Sequence, residues 1–371
     1  MARVDATMAV TERRLIGVDI AKIVAMLFVV ARHVNGFGLP YAGECDPGAG
    51  YLILRSFLTA IFSSCIDIFA IASGYVGIFS TFRLSRIIRL WLQVVVTGLA
   101  VLLFVDCFLK NPVPLKAYVK ACVPVAQNQY WYMTGYFMLC FVMPLINSAM
   151  RTMDRKIVER FLALVLGVIG VESFCGMSCT LGINAGYSFE WLLVLYVVGA
   201  YLRLYDPLKV SRRCLLSIAA GAAMAGAWIP LALGSIHSLS FSRLVKSLHF
   251  TGYTTPFTVV IALCVFLCCA KTRIESVRLT RFVLALSSTT LGVYLIHTQR
   301  HFFYTIFVRE VEKLAVSDGG QYLVKLSMVS VVTFLVCVVL DYIRLVMFKV
   351  VGMSACAAIL KRKSWRQRKE E

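Results

Sequence analysis

The chain has 371 residues, 60% of them hydrophobic and only 15% charged, against about 25% charged in a water-soluble domain. So little polar side chain cannot cover a water-exposed surface, which excludes a soluble enzyme or binding module. The net charge of +19 fits basic loops held on the cytoplasmic side of a membrane, where they meet anionic lipid or an anionic ligand, rather than a nucleic-acid surface.

Apolar runs long enough to cross a bilayer, about 20 residues each, recur along the whole chain. They are continuous rather than alternating, which predicts helices and not a barrel. Spans are predicted at 15–37, 51–79, 87–109, 130–150, 161–176, 188–204, 214–234, 252–270, 282–304 and 321–348. The expected fold is therefore all-α, a polytopic bundle of about ten transmembrane helices. One transmembrane domain, 15–350, lies between a cytoplasmic segment, 1–14, and a basic cytoplasmic tail, 351–371.

The charge pattern supports an even number of spans with both termini in the cytoplasm. With the N-terminus inside, the inner segments hold Arg83, Arg86 and Arg89, then Arg151, Arg155, Lys156 and Arg160. Later inner segments hold Arg203, Lys209, Arg212 and Arg213, then Lys271, Arg273, Arg278 and Arg281, then the basic run from Arg344 onward. The outer segments are far poorer in Lys and Arg, as the positive-inside rule requires. The expected location is the plasma or inner membrane, as a multi-pass protein. The thirteen cysteines show no metal or redox spacing. Cys175 and Cys179 lie near an outer loop, close enough in sequence to pair, but no disulfide is expected of them. The first apolar run lacks a small-residue cleavage site and so does not read as a signal peptide.

The first span carries Asp19, Lys22, Arg32 and His33. Charge inside a membrane costs roughly 2.5–3.5 kcal/mol per residue on insertion scales, so these groups need partners or a wet cavity. Asp19 and Lys22 share a helix face. His33 lies about 16 Å further along the axis, in the outer half, while Lys22 is in the inner half. An imidazole there suits proton transfer.

The second span places Asp67 at mid-depth, followed by Ser73 and Gly74, small residues that let helices approach closely. The third begins with Arg83, Arg86 and Arg89 at three-residue spacing, one stripe at a helix start. That pattern serves either as a positive-inside anchor or as a phosphate site. Tyr130, Trp131 and Tyr132 at the outer end of the fourth span fit an aromatic belt first and sugar stacking second. Glu190 and Trp191 at the outer start of the sixth are weaker candidates for contact with a ligand at the outer face. In the ninth span Tyr294, His297 and His301 recur at three and four residues and are predicted to share a face at the level of His33. No Glu follows His297 in the zinc-protease pattern, so no metal is expected.

These stretches resemble the acyltransferase-3 family of integral membrane O-acyltransferases. The resemblance rests on Arg14-Leu15 through Asp19, Lys22 and His33, on Asp67 through Tyr75, and on Phe82 through Arg89. Trp131-Tyr132 with Pro144 to Asn147, Leu291 through His297, and Leu340 through Arg344 also fit. The family's pattern of Arg or Lys, ten residues, then His is met by Lys22 and His33. Arg32 beside His33 is unusual for it. The resemblance implies transfer of an acyl group, usually acetyl from acetyl-CoA, to a hydroxyl of a cell-surface or lipid-linked glycan. It implies that His33 is essential and that the Arg stripe faces CoA. Many members carry an extracytoplasmic hydrolase-like domain; this chain ends after its last helix, so the membrane domain is expected to complete the transfer itself.

The expectation is thus an O-acetyltransferase. Its catalytic candidates are His33, Tyr294 and His297, and its donor site is Lys22, Arg83, Arg86 and Arg89. Its expected partners are acyl-CoA, a glycan acceptor and membrane lipid, with no nucleic acid. The rival readings are a transporter or flippase for a lipid-linked glycan, which predicts duplicated halves or broken helices, and a glycan polymerase or glycosyltransferase, which predicts a large catalytic loop.

Overall fold

The computed structural model describes residues 15–37, 39, 49–174, 182–206, 210–234 and 251–350. The two expected cytoplasmic segments, 1–14 and 351–371, and Cys175 and Cys179 lie outside the described residues. The described elements are helical: α1 (Ile16–Phe37), α2 (Ala49–Ser63), α3 (Cys65–Gly77), α4 (Leu84–Cys107), α5 (Leu115–Cys122) and α6 (Trp131–Thr152). They continue with α7 (Arg155–Phe174), α8 (Phe189–Tyr205), α9 (Arg212–Gly234), α10 (Pro256–Ala270), α11 (Val277–His297) and α12 (Gly319–Val350).

Every predicted span has a helical counterpart. Among the described residues five helices are long and apolar enough to cross a membrane, including α2 and α3 taken together, α4, α6, α11 and α12. Exposed apolar side chains such as Val324, Val332, Leu335 and Val339 on α12, and Leu164, Val168 and Val171 on α7, are what a lipid-facing surface requires. Three local features depart from expectation. The second span is two helices meeting at Ser64, where the Ser63 and Ser64 hydroxyls turn back to the carbonyls of Thr59 and Ile61. A short helix, α5, was not predicted. The ninth span stops at His297.

α1 is the central helix, packed by α2, α3, α10, α11 and α12. Its entry is fixed by Gly17: a Cβ there would strike the carbonyls of Cys269 and Ala270 at the end of α10. Lipid removes most of the hydrophobic drive for helix association, so close van der Waals contact through small residues must do that work. The α3–α8 contact shows it. A Cβ at Gly74 would collide with the Tyr196 carbonyl, and one at Gly199 with that of Ile71. The two backbones therefore touch, as the Ser73-Gly74 pair predicted. Between α11 and α12, Gly292 leaves room for the Asp341 carboxylate. Arg344 one turn on neutralises it with two hydrogen bonds, 2.5 and 3.0 Å long. That pair explains the Asp341-to-Arg344 signature of the last helix.

Among the buried polar groups of the bundle, Asp67 is engaged through one oxygen, while its Oδ2 has no partner among the described residues. Trp191, fully buried, donates its indole N–H to Asp67 Oδ1 at 3.0 Å. Trp191 is therefore a structural partner of Asp67, while Glu190 is exposed. Buried against Asp67, Trp191 is not placed for the ligand contact anticipated for it.

Candidate active site

α1, α3, α6 and α11, with the loops before α8 and α10, enclose a cavity of about 260 Å³. Lys22 lines one end, with its side chain 34% exposed and its ammonium 3.9 Å from Asp19. Ser287 on α11 donates to the same Asp19 oxygen at 2.7 Å. The first turn of α1 is thereby tied to α11, and Lys22 is held at the cavity mouth by a carboxylate that is itself anchored.

Arg32, His33 and Tyr294 line the same cavity. Because α1 is continuous from Ile16 to Phe37, His33 stands about 16 Å along the axis from Lys22. The wall beside it is aromatic. Ring centroids of Trp131 and Tyr132 are 5.9 Å apart, those of Tyr132 and Tyr294 6.1 Å, and those of Trp131 and Tyr187 4.7 Å. Tyr187 is 45% exposed, so this end also reaches the surface. Buried Cys65 and Tyr253 also line the cavity, Tyr253 with its ring 4.9 Å from that of Tyr187.

His297 does not line the cavity; it stands behind His33. His33 Nδ1 is 3.1 Å from His297 Nε2, and His297 Nδ1 is 2.5 Å from the Val293 carbonyl. A carbonyl only accepts, so His297 Nδ1 carries a hydrogen. In a neutral imidazole the other nitrogen then accepts, so His33 Nδ1 is the donor between the rings. The Nε2 of His33 then carries the lone pair, and no described residue engages it. Two imidazoles expected at similar depth are thus brought into direct contact with a defined proton order.

His301 is not part of this arrangement. The Thr298 hydroxyl bonds the Tyr294 carbonyl at 2.6 Å, and Gln299 takes an extended backbone. The Gln299 side chain then caps a new short helix by accepting from the His301 and Phe302 amides. The expected shared face of His297 and His301 is broken there. The following Phe303–Val308 segment is π-helical, and Phe303 sets its ring 5.3 Å from that of His33.

The Arg stripe is also revised. Arg83 is the extended N-cap of α4 and not a helical residue, so only Arg86 and Arg89 share a helical stripe. All three are exposed and none lines the cavity, although Leu90, the next residue along, does. Of the outer aromatics, Trp131 and Tyr132 line the cavity, while Tyr130 is buried and donates to the Leu295 carbonyl. Tyr136, Tyr187, Tyr253 and Cys65 are cavity residues that the sequence did not single out. Among the described residues no three His, Cys, Asp or Glu side chains are grouped as metal ligands.

Neither a curated protein nor a solved structure matches the chain significantly. The acyltransferase domain family does match it, over residues 15–342. That match spans the central helix, the double-imidazole site and the Gly292–Asp341 contact, and on it the chain belongs to the acyltransferase-3 family of membrane acyltransferases.

Proposed function

We propose that the protein carries an acetyl group from cytoplasmic acetyl-CoA to a hydroxyl of a cell-surface or lipid-linked glycan, with the Lys22 end of the cavity taking the donor and the His33 end the acceptor. The observation that carries this reading is the hydrogen-bonded pair of imidazoles at one end of a cavity whose other end presents a lysine. In this reading the bundle has its basic loops and both termini in the cytoplasm, with about ten crossings.

The donor's phosphates meet Arg86 and Arg89 at the start of α4, with Arg83 beside them, where guanidinium groups and free helix amides favour anions. Lys22 meets the donor further in. The pantetheine arm then runs along the cavity and brings the thioester to His33.

His33 Nε2 accepts the proton of the acceptor hydroxyl as its oxygen attacks the thioester carbonyl. The new C–O bond forms as the tetrahedral centre develops. Collapse breaks the C–S bond, and the proton passes from His33 to the leaving sulfur, releasing the ester and free CoA thiol. His297 keeps the proton of His33 on Nδ1, so that Nε2 is the basic nitrogen. It is a positioning residue, bonded to the base and to the backbone. Tyr294, lining the cavity on the same helix, supplies a hydroxyl for the developing oxyanion.

The test is transfer of radiolabel from acetyl-CoA to surface glycan by purified protein. Label should appear in ester linkage on the glycan, and His33→Ala should reduce it to background. Full activity in His33→Ala overturns the chemistry.

A further inference from the structure

Arg32 takes no part in the transfer just described, yet it lines the same cavity next to His33. Its Nε is buried without a hydrogen-bond partner, and no carboxylate pairs with it among the described residues. No Asp or Glu lines the cavity, and among the described residues Asp67, whose Oδ1 takes the Trp191 indole N–H while its Oδ2 is buried without a partner, makes no ion pair with Arg32. Arg32 as a whole is half-buried, and a charged side chain within a membrane bundle that has no counter-charge by default marks a ligand.

The side chain also has a direction. A Cβ at Gly36 would lie 3.3 Å from Arg32 Nη1. The guanidinium therefore reaches one turn onward along α1, away from Lys22, into space that exists because residue 36 has no side chain. His33 stands between two cations, Lys22 about 16 Å behind it and the Arg32 head beyond it. The phosphates of a donor held at the Lys22 end cannot satisfy both. The anion that meets Arg32 belongs to the other reactant. Around that end Tyr187 packs between Trp131 and Tyr253, with ring centroids 4.7 and 4.9 Å away. Such aromatic faces suit the apolar faces of a sugar ring.

We propose that the acceptor is an anionic saccharide, whose carboxylate or phosphate is bound by Arg32 while its ring lies against Trp131 and Tyr187. This rests on the assignment of the His33 end to the acceptor. A planar guanidinium takes either group through paired N–H donors. The contact fixes the orientation of the sugar and so selects which hydroxyl reaches His33.

The experiment is equilibrium binding of three probes to the purified full-length protein without acetyl-CoA: a methyl glucuronide, a methyl glucoside 6-phosphate and plain methyl glucoside. The expected result is that an anionic probe binds roughly ten- to a hundredfold more tightly than the neutral one, the gain of one desolvated charge-assisted contact. Preference for the uronide identifies an acidic sugar, and preference for the phosphate a phosphorylated acceptor. Arg32→Gln should abolish the preference and Arg32→Lys should keep part of it, so a Gln variant that misfolds leaves the Lys variant to decide. Equal binding of all three probes, binding of none, or a preference that survives in Arg32→Gln overturns the proposal. Because binding is read without donor, its failure leaves the transfer reading to the His33 experiment. Anion selectivity without any transfer would sink the transfer reading alone.

Discussion

Replacing His297 by leucine removes the group that holds the proton of His33 on Nδ1. The bond at stake is 3.1 Å long and lies between a fully buried ring and one at the cavity wall. With leucine, either His33 Nδ1–H is left buried without an acceptor, or the ring moves its proton to Nε2 and ceases to be a base toward the cavity. A buried donor stripped of its partner costs about 1–3 kcal/mol, which is roughly a 5- to 150-fold loss in rate if it falls on the chemical step. The assay is steady-state transfer of label from acetyl-CoA to glycan, with kcat and KM separated. The loss should appear in kcat with both KM values little changed, since His297 touches neither substrate. His297→Gln, whose amide oxygen accepts a hydrogen bond, should recover part of it. Wild-type kcat in His297→Leu would refute the proton order derived from the geometry. A loss confined to KM would make His297 a packing residue of the acceptor site.

Arg86→Ala with Arg89→Ala should weaken acetyl-CoA binding, by titration, roughly tenfold or more for two phosphate contacts, and unchanged affinity would remove the phosphate site from α4. Lys22→Met should likewise raise the KM for acetyl-CoA while leaving glycan affinity alone; an effect on the glycan alone would reverse the two ends of the cavity. Trp191→Phe strands the buried Asp67 carboxylate and should cost about 1–3 kcal/mol of stability, read as a lower melting temperature in detergent, and an unchanged melting temperature would mean that Asp67 finds another partner. Gly199→Val drives a side chain into the Ile71 carbonyl and should collapse the folded yield, since backbone contact leaves nothing flexible to yield; normal yield would show that α3 and α8 can separate.

The helices behind the expected spans were legible in the sequence because an apolar run is a local, one-dimensional property. Apolar length is written along the chain. Depth was legible too: the rise per residue put His33 and His297 at one level, and the structure joins them. The azimuth of each side chain was not legible, because it depends on how the helices are rotated in the bundle. Periodicity put Arg83 in line with Arg86 and Arg89 without showing that Arg83 caps the helix. It carried the helix through Thr298 and Gln299, although the Thr298 hydroxyl and the Gln299 cap end it there. Tyr187 and Tyr253 sit outside the long helices and enter the cavity wall only through tertiary packing, so no spacing rule reaches them. Arg32 stood out in the sequence as a misplaced charge; its direction past Gly36 is visible only in the fold.

The central claim is that donor and acceptor meet from opposite ends of one cavity, with His33 where they join. Sealed proteoliposomes test this most directly. Acceptor glycan is trapped inside, radiolabelled acetyl-CoA is added outside, and the lumenal glycan is recovered and counted. The account predicts ester-linked label on the trapped glycan from molecules whose basic loops face outward, and none with His33→Ala. Label found only when donor and acceptor share one compartment would contradict it.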